Sequence, residues 1–306
     1  MQLGTCDLLF EIELAGDGPL PAFQGTTLRG ALGFALKEIV CHMSHRRCEQ
    51  CLLRTRCAYP VVFEGIPPAD RSIMRKYPNV PQPFVLLVNP APPASQAPRT
   101  ISFGLRLFGP AADLYPFAAY AVIRMAERGL GRDRIPGRVR RISDGRETIY
   151  RDGDEGLRPP QGRLLTIEDR VWPASRVRLS TVTPLRLRVD GHQTVRPAFA
   201  DIFRAIVRRV RILNGFYGRE PLNVEVGPLF DEVAASRTVE AVWAPRTITR
   251  FSSRQQARMD IGGLMGHMVI ELPPGRLRNW LDAAETLHIG KAASFGLGRI
   301  LCEELT

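Results

Sequence analysis

Four cysteines stand close together in a loop that also holds several arginines. A Cys-x2-Cys pair supplies two thiolates from one tight turn, and zinc binds four such ligands in a tetrahedron. Either neighbouring histidine, His42 or His45, is able to replace one thiolate. We therefore predict a structural zinc ion here, with loose reduced thiols and an iron–sulfur cluster as the alternatives. The four cysteines are Cys41, Cys48, Cys51 and Cys57.

A glycine-rich segment near the C-terminus has the composition of a phosphate-binding turn. Residues 287–299 read LHIGKAASFGLGR. Turns of this kind point backbone N–H groups at an anion, and Lys291 and Arg299 add positive charge. The Gly-Lys-Ser/Thr order of a P-loop is absent. The segment is therefore either a phosphate-binding loop or a plain glycine turn between a helix and a strand.

The chain is strongly basic, with a formal net charge of +11 from 42 basic and 31 acidic residues. Only Lys37, Lys76 and Lys291 are lysines. A GC-rich genome would explain the preference for arginine, but not the surplus of positive charge. That surplus favours a polyanionic partner, because neutralised phosphates release counterions and the arginine fork binds phosphate through two nitrogens. We therefore predict a nucleic-acid-binding protein.

Three sets of arginines are candidates for the nucleic-acid path, although each set also fits an ordinary solvated face. Arg204, Arg208 and Arg211 share one face of a predicted helix, since residues three and four apart are neighbours on a helix surface. The second set lies on a predicted strand, and the third lies on and after another. They are residues 138, 140 and 141, and residues 246, 250, 254 and 258.

The sequence has no stretch of 18 or more uncharged apolar residues, so we expect no membrane span. It begins without a basic and apolar leader, so we expect a cytoplasmic protein. A chain of 306 residues is long enough for two domains that each bury a core.

Hydrophobic periodicity and turn residues predict the order strand, helix, two strands, helix, strand, and then the same order again. This βαββαβ order is that of the ferredoxin-like fold. We predict an α+β protein with two such domains in tandem, residues 1–170 and 171–306, and a cysteine-rich insertion after the first helix. The predicted strands are 6–15, 84–88, 101–108, 138–142, 147–151, 177–189, 237–250, 259–272 and 300–304, the predicted helices are 28–39, 114–128, 198–213 and 276–288, and the predicted linker is 158–175.

The glycine segment resembles the signature loop of the RAMP superfamily of RNA-binding proteins. Its motif GKAASFGLG, residues 290–298, follows a predicted helix and precedes the last predicted strand. With His288 directly ahead of it, the motif is similar to that of the sixth CRISPR-associated protein family, whose members mature CRISPR transcripts. The segment LRGALG at residues 28–33, followed by the four-cysteine loop, resembles a cysteine-bearing branch of that family.

The resemblance implies an endoribonuclease that needs no metal for catalysis. A general base would deprotonate the 2′-OH beside the scissile phosphate, and cations would stabilise the phosphorane. The products would be a 2′,3′-cyclic phosphate and a 5′-OH. The implied partner is CRISPR repeat RNA, and the resemblance also allows other effector subunits or a second copy of the chain. The implied RNA-binding residues are Gly290, Lys291, Ser294, Gly296, Gly298, Arg299, Arg204, Arg208 and Arg211.

The family places its base in or just after the first helix, but this chain has Phe34 where relatives of the cysteine-bearing branch have a histidine. His45 is the first candidate for the base, because it follows the predicted helix. The neighbouring arginines, Arg46 and Arg47, would lower the pKa of its imidazole through like-charge repulsion. The remaining candidates for the catalytic site are His42, His288, Lys291 and Arg29.

Two other functions stay open. Without a replacement for the missing histidine, the chain would be a non-catalytic RAMP subunit that binds guide RNA in an effector complex. A zinc-containing DNA-binding regulator would need a helix after the cysteines that enters a DNA groove. Residues 59–63, with the sequence YPVVF, are typical of extended chain instead.

Overall fold

The chain forms two compact units. The computed structural model describes residues 1–16, 21, 23–43, 47–66, 75, 80–88, 100–252 and 257–305. The first unit comprises Leu3–Leu164 and Gly215–Arg219. The second comprises Met1–Gln2, Leu165–Asn214 and Glu220–Thr306. The chain passes between the units at 164/165, six residues before the predicted boundary at 170/171.

The first unit is a sheet with two helices packed against each other. In sheet order, β2, β3, β1, β4 and β5 are neighbours, and β6 pairs with β1. The β2-β3-β1-β4 order, with antiparallel neighbours throughout, is that of a ferredoxin-like unit. The elements are β1 (Gln2–Leu14), α1 (Gly25–Val40), β2 (Phe84–Val88), β3 (Thr100–Phe108), α2 (Tyr115–Arg128), β4 (Gly137–Ser143), β5 (Thr148–Arg151) and β6 (Arg163–Thr166).

Apolar residues at every second position of β1 and at every third or fourth position of α1 form much of the core of this unit. Leu8, Phe10 and Ile12 leave β1 on the same side, because successive side chains point to opposite faces of a strand. They belong to one apolar cluster with Leu28 and Leu32 of α1. Helix α1 ends at Val40, so the cysteine loop begins directly at its C-terminus.

The second unit repeats the same topology. Its sheet has the order β10-β13-β7-β14, again with antiparallel neighbours, and rings from all three helices meet at Phe203. The elements are β7 (Ser175–Thr181), β8 (Arg188–Val189), β9 (His192–Gln193), α3 (Phe199–Tyr217), α4 (Gly227–Ala235), β10 (Arg237–Arg246), β11 (Thr249–Ser252), β12 (Ala257–Asp260), β13 (Gly263–Leu272), α5 (Leu277–Leu287) and β14 (Ile300–Leu305). The tandem ferredoxin-like prediction is confirmed.

Several predicted boundaries were wrong. The strand predicted over 177–189 ends at Thr181, because Pro184 has no N–H for a continuous ladder and the chain turns into the short hairpin β8–β9. Helix α3 passes through Gly215 to Tyr217, with the side-chain amide of Asn214 donating to the Glu220 carbonyl instead of ending the helix. Strand β6 lies inside the predicted linker.

Helix α4 and the helical turn at Pro60–Glu64 were not predicted. Helix α4 buries only Leu229 and Val233, which is too short an apolar pattern to recognise in the sequence. Residues Pro60–Glu64, predicted as extended chain, form a π-helical turn that buries Val62 and Phe63. A buried turn presents no face to a DNA groove, so it gives no support to the DNA-binding alternative.

Strand β10 lies at one edge of the second sheet and is exposed at almost every position. Two of its larger apolar side chains, Val239 and Val242, are exposed. Within the described ranges, no helix combines the length and apolar composition that a membrane span requires.

Candidate nucleic-acid interface

Hydrogen bonds to residues 183–186 hold the glycine segment between α5 and β14 in place. Lys291 N–H donates to the Arg186 carbonyl at 2.9 Å, and Gly298 N–H donates to the Pro184 carbonyl at 3.0 Å. The Thr183 hydroxyl accepts from Arg299 N–H and donates to the Gly296 carbonyl. These N–H groups are therefore used inside the fold. A ligand would therefore meet the side chains of the loop, because these backbone N–H groups already have acceptors.

Positive φ angles give this loop its shape. Gly290, Gly296 and Gly298 have φ of +82°, +89° and +73°, and two residues with side chains, His288 and Ala292, also have positive φ. A Cβ on Gly290 would lie 2.5 Å from the Arg186 carbonyl oxygen. Glycine is required at Gly290 because the loop packs directly on the segment that leads into β8.

Three cations from three elements converge beside this loop. Lys291 belongs to the loop, Arg208 to α3 and Arg188 to β8. Partial burial lowers the pKa of the Lys291 ammonium, and the positive charges of Arg208 and Arg188 lower it further. All three residues are exposed. In the part of the chain that the structure describes, no ion pair neutralises any of them, so the cluster is suited to a phosphate group.

The three predicted arginine sets differ in their surroundings. Arg204, Arg208 and Arg211 lie on the exposed face of α3, as predicted, and Arg204 pairs with Asp201 at 3.0 Å. The set on β4 is already compensated: Arg138 and Arg140 pair with Asp152, and Arg141 pairs with Glu11.

In the third arginine set, Arg250 stacks on the ring of Phe295 in the glycine loop, 4.8 Å from its centroid. Arg246 is exposed on β10. Arg254 and the side chain of Arg258 lie outside the described residues. The α3 set is therefore the best placed for phosphate, because it adjoins the convergent cations.

The remaining loop residues are less accessible than Lys291. Ser294, Gly296 and Gly298 are buried, and Arg299 is half-buried. His288 has an exposed fraction of 0%, which disfavours it as a base that must reach the 2′-OH of a bound RNA.

The four cysteines and His42 line one pocket in the first unit. Burial and the nearby Glu64 carboxylate raise the pKa of the Cys48 thiol to about 11, and a bound cation would favour the thiolate. Among the described residues, no three His, Cys, Asp or Glu side chains are close enough together to hold a metal ion. His45, the first candidate for the base, lies outside the described residues.

One face of α1 supports the segment that follows the cysteine loop. Arg29 lies over the ring of Phe63 at 5.5 Å, and Lys37 lies over the ring of Tyr59 at 4.9 Å. Gly33 lies between these two residues in the helix. Its lack of a side chain lets the Phe63 ring approach, because a Cβ there would lie 2.8 Å from that ring. Arg29, a candidate catalytic cation, is therefore already in contact with an aromatic ring.

Phe34, at the position where the resemblance implies a histidine, is 60% exposed on α1. The Arg128 guanidinium lies 5.2 Å from the centroid of its ring and also pairs with Glu38. The described neighbours of Phe34 supply no imidazole. In the sequence, His42 and His45 of the cysteine loop are the two histidines within residues 3–164.

Arg188 was missed by the sequence reasoning, which placed it inside a continuous strand. The alternation in LRLRV, residues 185–189, was the available signal, since it sets two arginines on one face. Only the hairpin β8–β9 brings Arg188 to the glycine loop.

Two family models match the chain. Residues 3–162 match AF_1859_N, described as an N-terminal domain, and residues 179–300 match the model described as CRISPR-associated endoribonuclease Cas6. No curated protein matches the sequence.

Solved structures of similar fold cover almost the whole chain. Thermus thermophilus Cas6 (TTHB231) has a TM-score of 0.56 at 12% identity, covering 99% of each chain. The Cas6 (TTHA0078) product complex has 0.54 at 17%, covering 99% of this chain and 100% of that one. A partial Cas6-RT-Cas1–Cas2 complex has 0.57 at 9%, covering 99% of this chain and 46% of that one. At these identities the likeness shows a shared fold.

Proposed function

We propose that the chain, which belongs to the AF_1859_N family over residues 3–162 and matches the model described as CRISPR-associated endoribonuclease Cas6 over residues 179–300, binds repeat RNA through the cations of its second unit and cleaves it. The observation that carries this proposal is the convergence of Lys291, Arg208 and Arg188 inside the region that matches the Cas6 model. Uncompensated cations of this kind bind phosphate and stabilise the charge that develops on it.

The proposed reaction is an internal transesterification. A base removes the 2′-OH proton, the 2′-oxygen forms a bond to phosphorus, and the bond from phosphorus to the 5′-oxygen breaks. The leaving 5′-oxygen takes a proton, which gives a 2′,3′-cyclic phosphate and a 5′-OH. The base is proposed to be His45, with His42 next. This step routes no bond through a metal.

The test is cleavage of the cognate repeat RNA in excess EDTA, with the product ends identified. We expect one cut per repeat, a 5′-OH that a polynucleotide kinase labels without prior dephosphorylation, and a 3′ end that resists polymerase extension until the cyclic phosphate is removed. A wild-type protein that binds the RNA but leaves it intact would make the chain a non-catalytic RNA-binding subunit.

We also propose that the cysteine loop binds one structural zinc ion. The supporting observation is that Cys41, Cys48, Cys51 and Cys57 line the same pocket, with His42 as a further donor. The residues fit the group in donor chemistry, since zinc binds thiolate and imidazole. Zinc would close the loop between α1 and the buried turn at Pro60–Glu64.

Elemental analysis of protein purified without added metal should find about one zinc per chain. Cys48→Ser should lower the zinc content and the midpoint of thermal unfolding, because a structural site contributes folding free energy. Cys302→Ser, at a buried cysteine of the second unit, is the matched control and should retain the zinc. A fully folded protein that contains no zinc would refute this proposal.

A further inference from the structure

The hairpin β8–β9 lies beside the glycine loop because two backbone contacts fix the segment before it. Lys291 N–H donates to the Arg186 carbonyl, and the close approach of Gly290 to that same carbonyl leaves no room for a side chain. Two residues further along, Arg188 begins β8 and pairs across the hairpin with Gln193.

Helix α3 is tied to the same place from the other side. The Arg209 guanidinium donates through Nε to the Leu287 carbonyl at 3.1 Å, which anchors α3 at the end of α5, directly before the loop. Arg208, its neighbour in sequence, is exposed there. Three independently anchored elements therefore each contribute one cation to one place.

The acidic groups nearby do not compensate this charge. Asp201 on α3 is engaged by Arg204 at 3.0 Å and by the Ala198 N–H. Asp190 stands at the turn of the hairpin with φ of +49°, and it has no ion pair within the described ranges. Like charges held together without a counter-charge are costly until an anion binds.

We propose that the hairpin β8–β9 is part of the RNA-binding surface, and that Arg188 binds a backbone phosphate together with Arg208 and Lys291. This inference rests on the proposed function for the identity of the ligand as RNA, but the phosphate site stands on its own geometry. It assigns a binding role to an element outside the glycine motif. The planar guanidinium of Arg188 can bind two phosphate oxygens at once, and the ammonium of Lys291 adds a compact positive charge.

The scarcity of lysine allows a direct test on phosphate alone. Reductive methylation with ¹³C-formaldehyde keeps the lysine charge and labels only Lys37, Lys76, Lys291 and the N-terminus. The Lys291 resonance, assigned by its loss in Lys291→Arg, should shift when pyrophosphate is added. Arg188→Ala should weaken this binding several-fold. Arg196→Ala, an exposed arginine between β9 and α3, should leave it unchanged.

The second readout is the salt dependence of repeat-RNA binding. Each phosphate contact contributes about −0.7 to −0.9 to the slope of log K against log salt. Arg188→Ala should therefore reduce the slope by about one, and Arg188→Lys should restore part of the affinity. Arg188→Ala combined with Lys291→Ala should cost less than the sum of the single changes, because the two side chains share one phosphate.

The two failures are distinguishable. If Arg188→Ala leaves both the pyrophosphate affinity and the salt slope unchanged, the inference is overturned, whatever the protein does to RNA. If pyrophosphate shifts Lys291 in an Arg188-dependent way but the wild type leaves repeat RNA intact, the phosphate site stands and the catalytic function falls.

Discussion

Repeat RNA that carries a single 2′-deoxyribose at the cut site should bind with unchanged affinity and stay intact. The proposed nucleophile is the 2′-oxygen of the substrate itself, so removing it removes the reaction while the phosphate contacts remain. We expect no product in the time that the all-ribose RNA needs for complete cleavage. The measurement is a single-turnover assay on a denaturing gel, with affinity determined in parallel by filter binding.

The matched control for this experiment is the same RNA with the 2′-deoxyribose one nucleotide away from the cut. That RNA should be cleaved at nearly the normal rate. Cleavage at the substituted site would mean that water or a protein group attacks the phosphate, and the internal transesterification would then be wrong.

His45→Ala should slow single-turnover cleavage by about 10²- to 10⁴-fold, which is the usual effect of removing a general base. Repeat-RNA affinity should change little, because an imidazole that accepts a proton contributes little to phosphate binding. His267→Ala is the matched control: His267 lies on β13 and contacts Glu240 at 3.1 Å, so its loss should leave cleavage unchanged.

A His45→Ala variant that cuts within a few-fold of the wild type would eliminate His45. His42→Ala then becomes the decisive variant, because His42 is exposed in the same loop, whereas His288 is fully buried. If neither of these variants nor His288→Ala slows the reaction, no histidine acts as the base, and the arginine and lysine charges carry the catalysis.

The ferredoxin-like units could be predicted because their cores follow simple periods. Leu8, Phe10 and Ile12 alternate on β1, and Leu28, Leu32 and Leu36 recur on α1, so both the element types and their order could be inferred from the sequence. Gly290, Gly296 and Gly298 were equally recognisable, and their positive φ angles explain why the motif needs glycine.

The convergent cations could not be predicted in full, because their position depends on contacts between distant segments. Arg188 reaches the loop only through the turn that follows Thr181. Likewise, Gly215 normally indicates the end of a helix, yet α3 continues past it while the Asn214 amide binds the Glu220 carbonyl. In both places tertiary packing overrides the local signal.

The exposed edge strand β10 has a consequence for strand pairing between two copies of the chain. An unpaired strand edge offers its N–H and C=O groups to any other extended chain, which leads to fibrous aggregation when nothing obstructs it. Pro245 removes one donor from that edge, and Arg246 places a positive charge at one end of the strand, whereas Arg237 at the other end pairs with Glu271 at 2.7 Å. Two copies of β10 aligned antiparallel over their full length would bring Arg237 of one copy against Arg246 of the other. In that arrangement Pro245 of each copy could not donate a hydrogen bond to the other strand, so β10 is a poor template for its own duplicate.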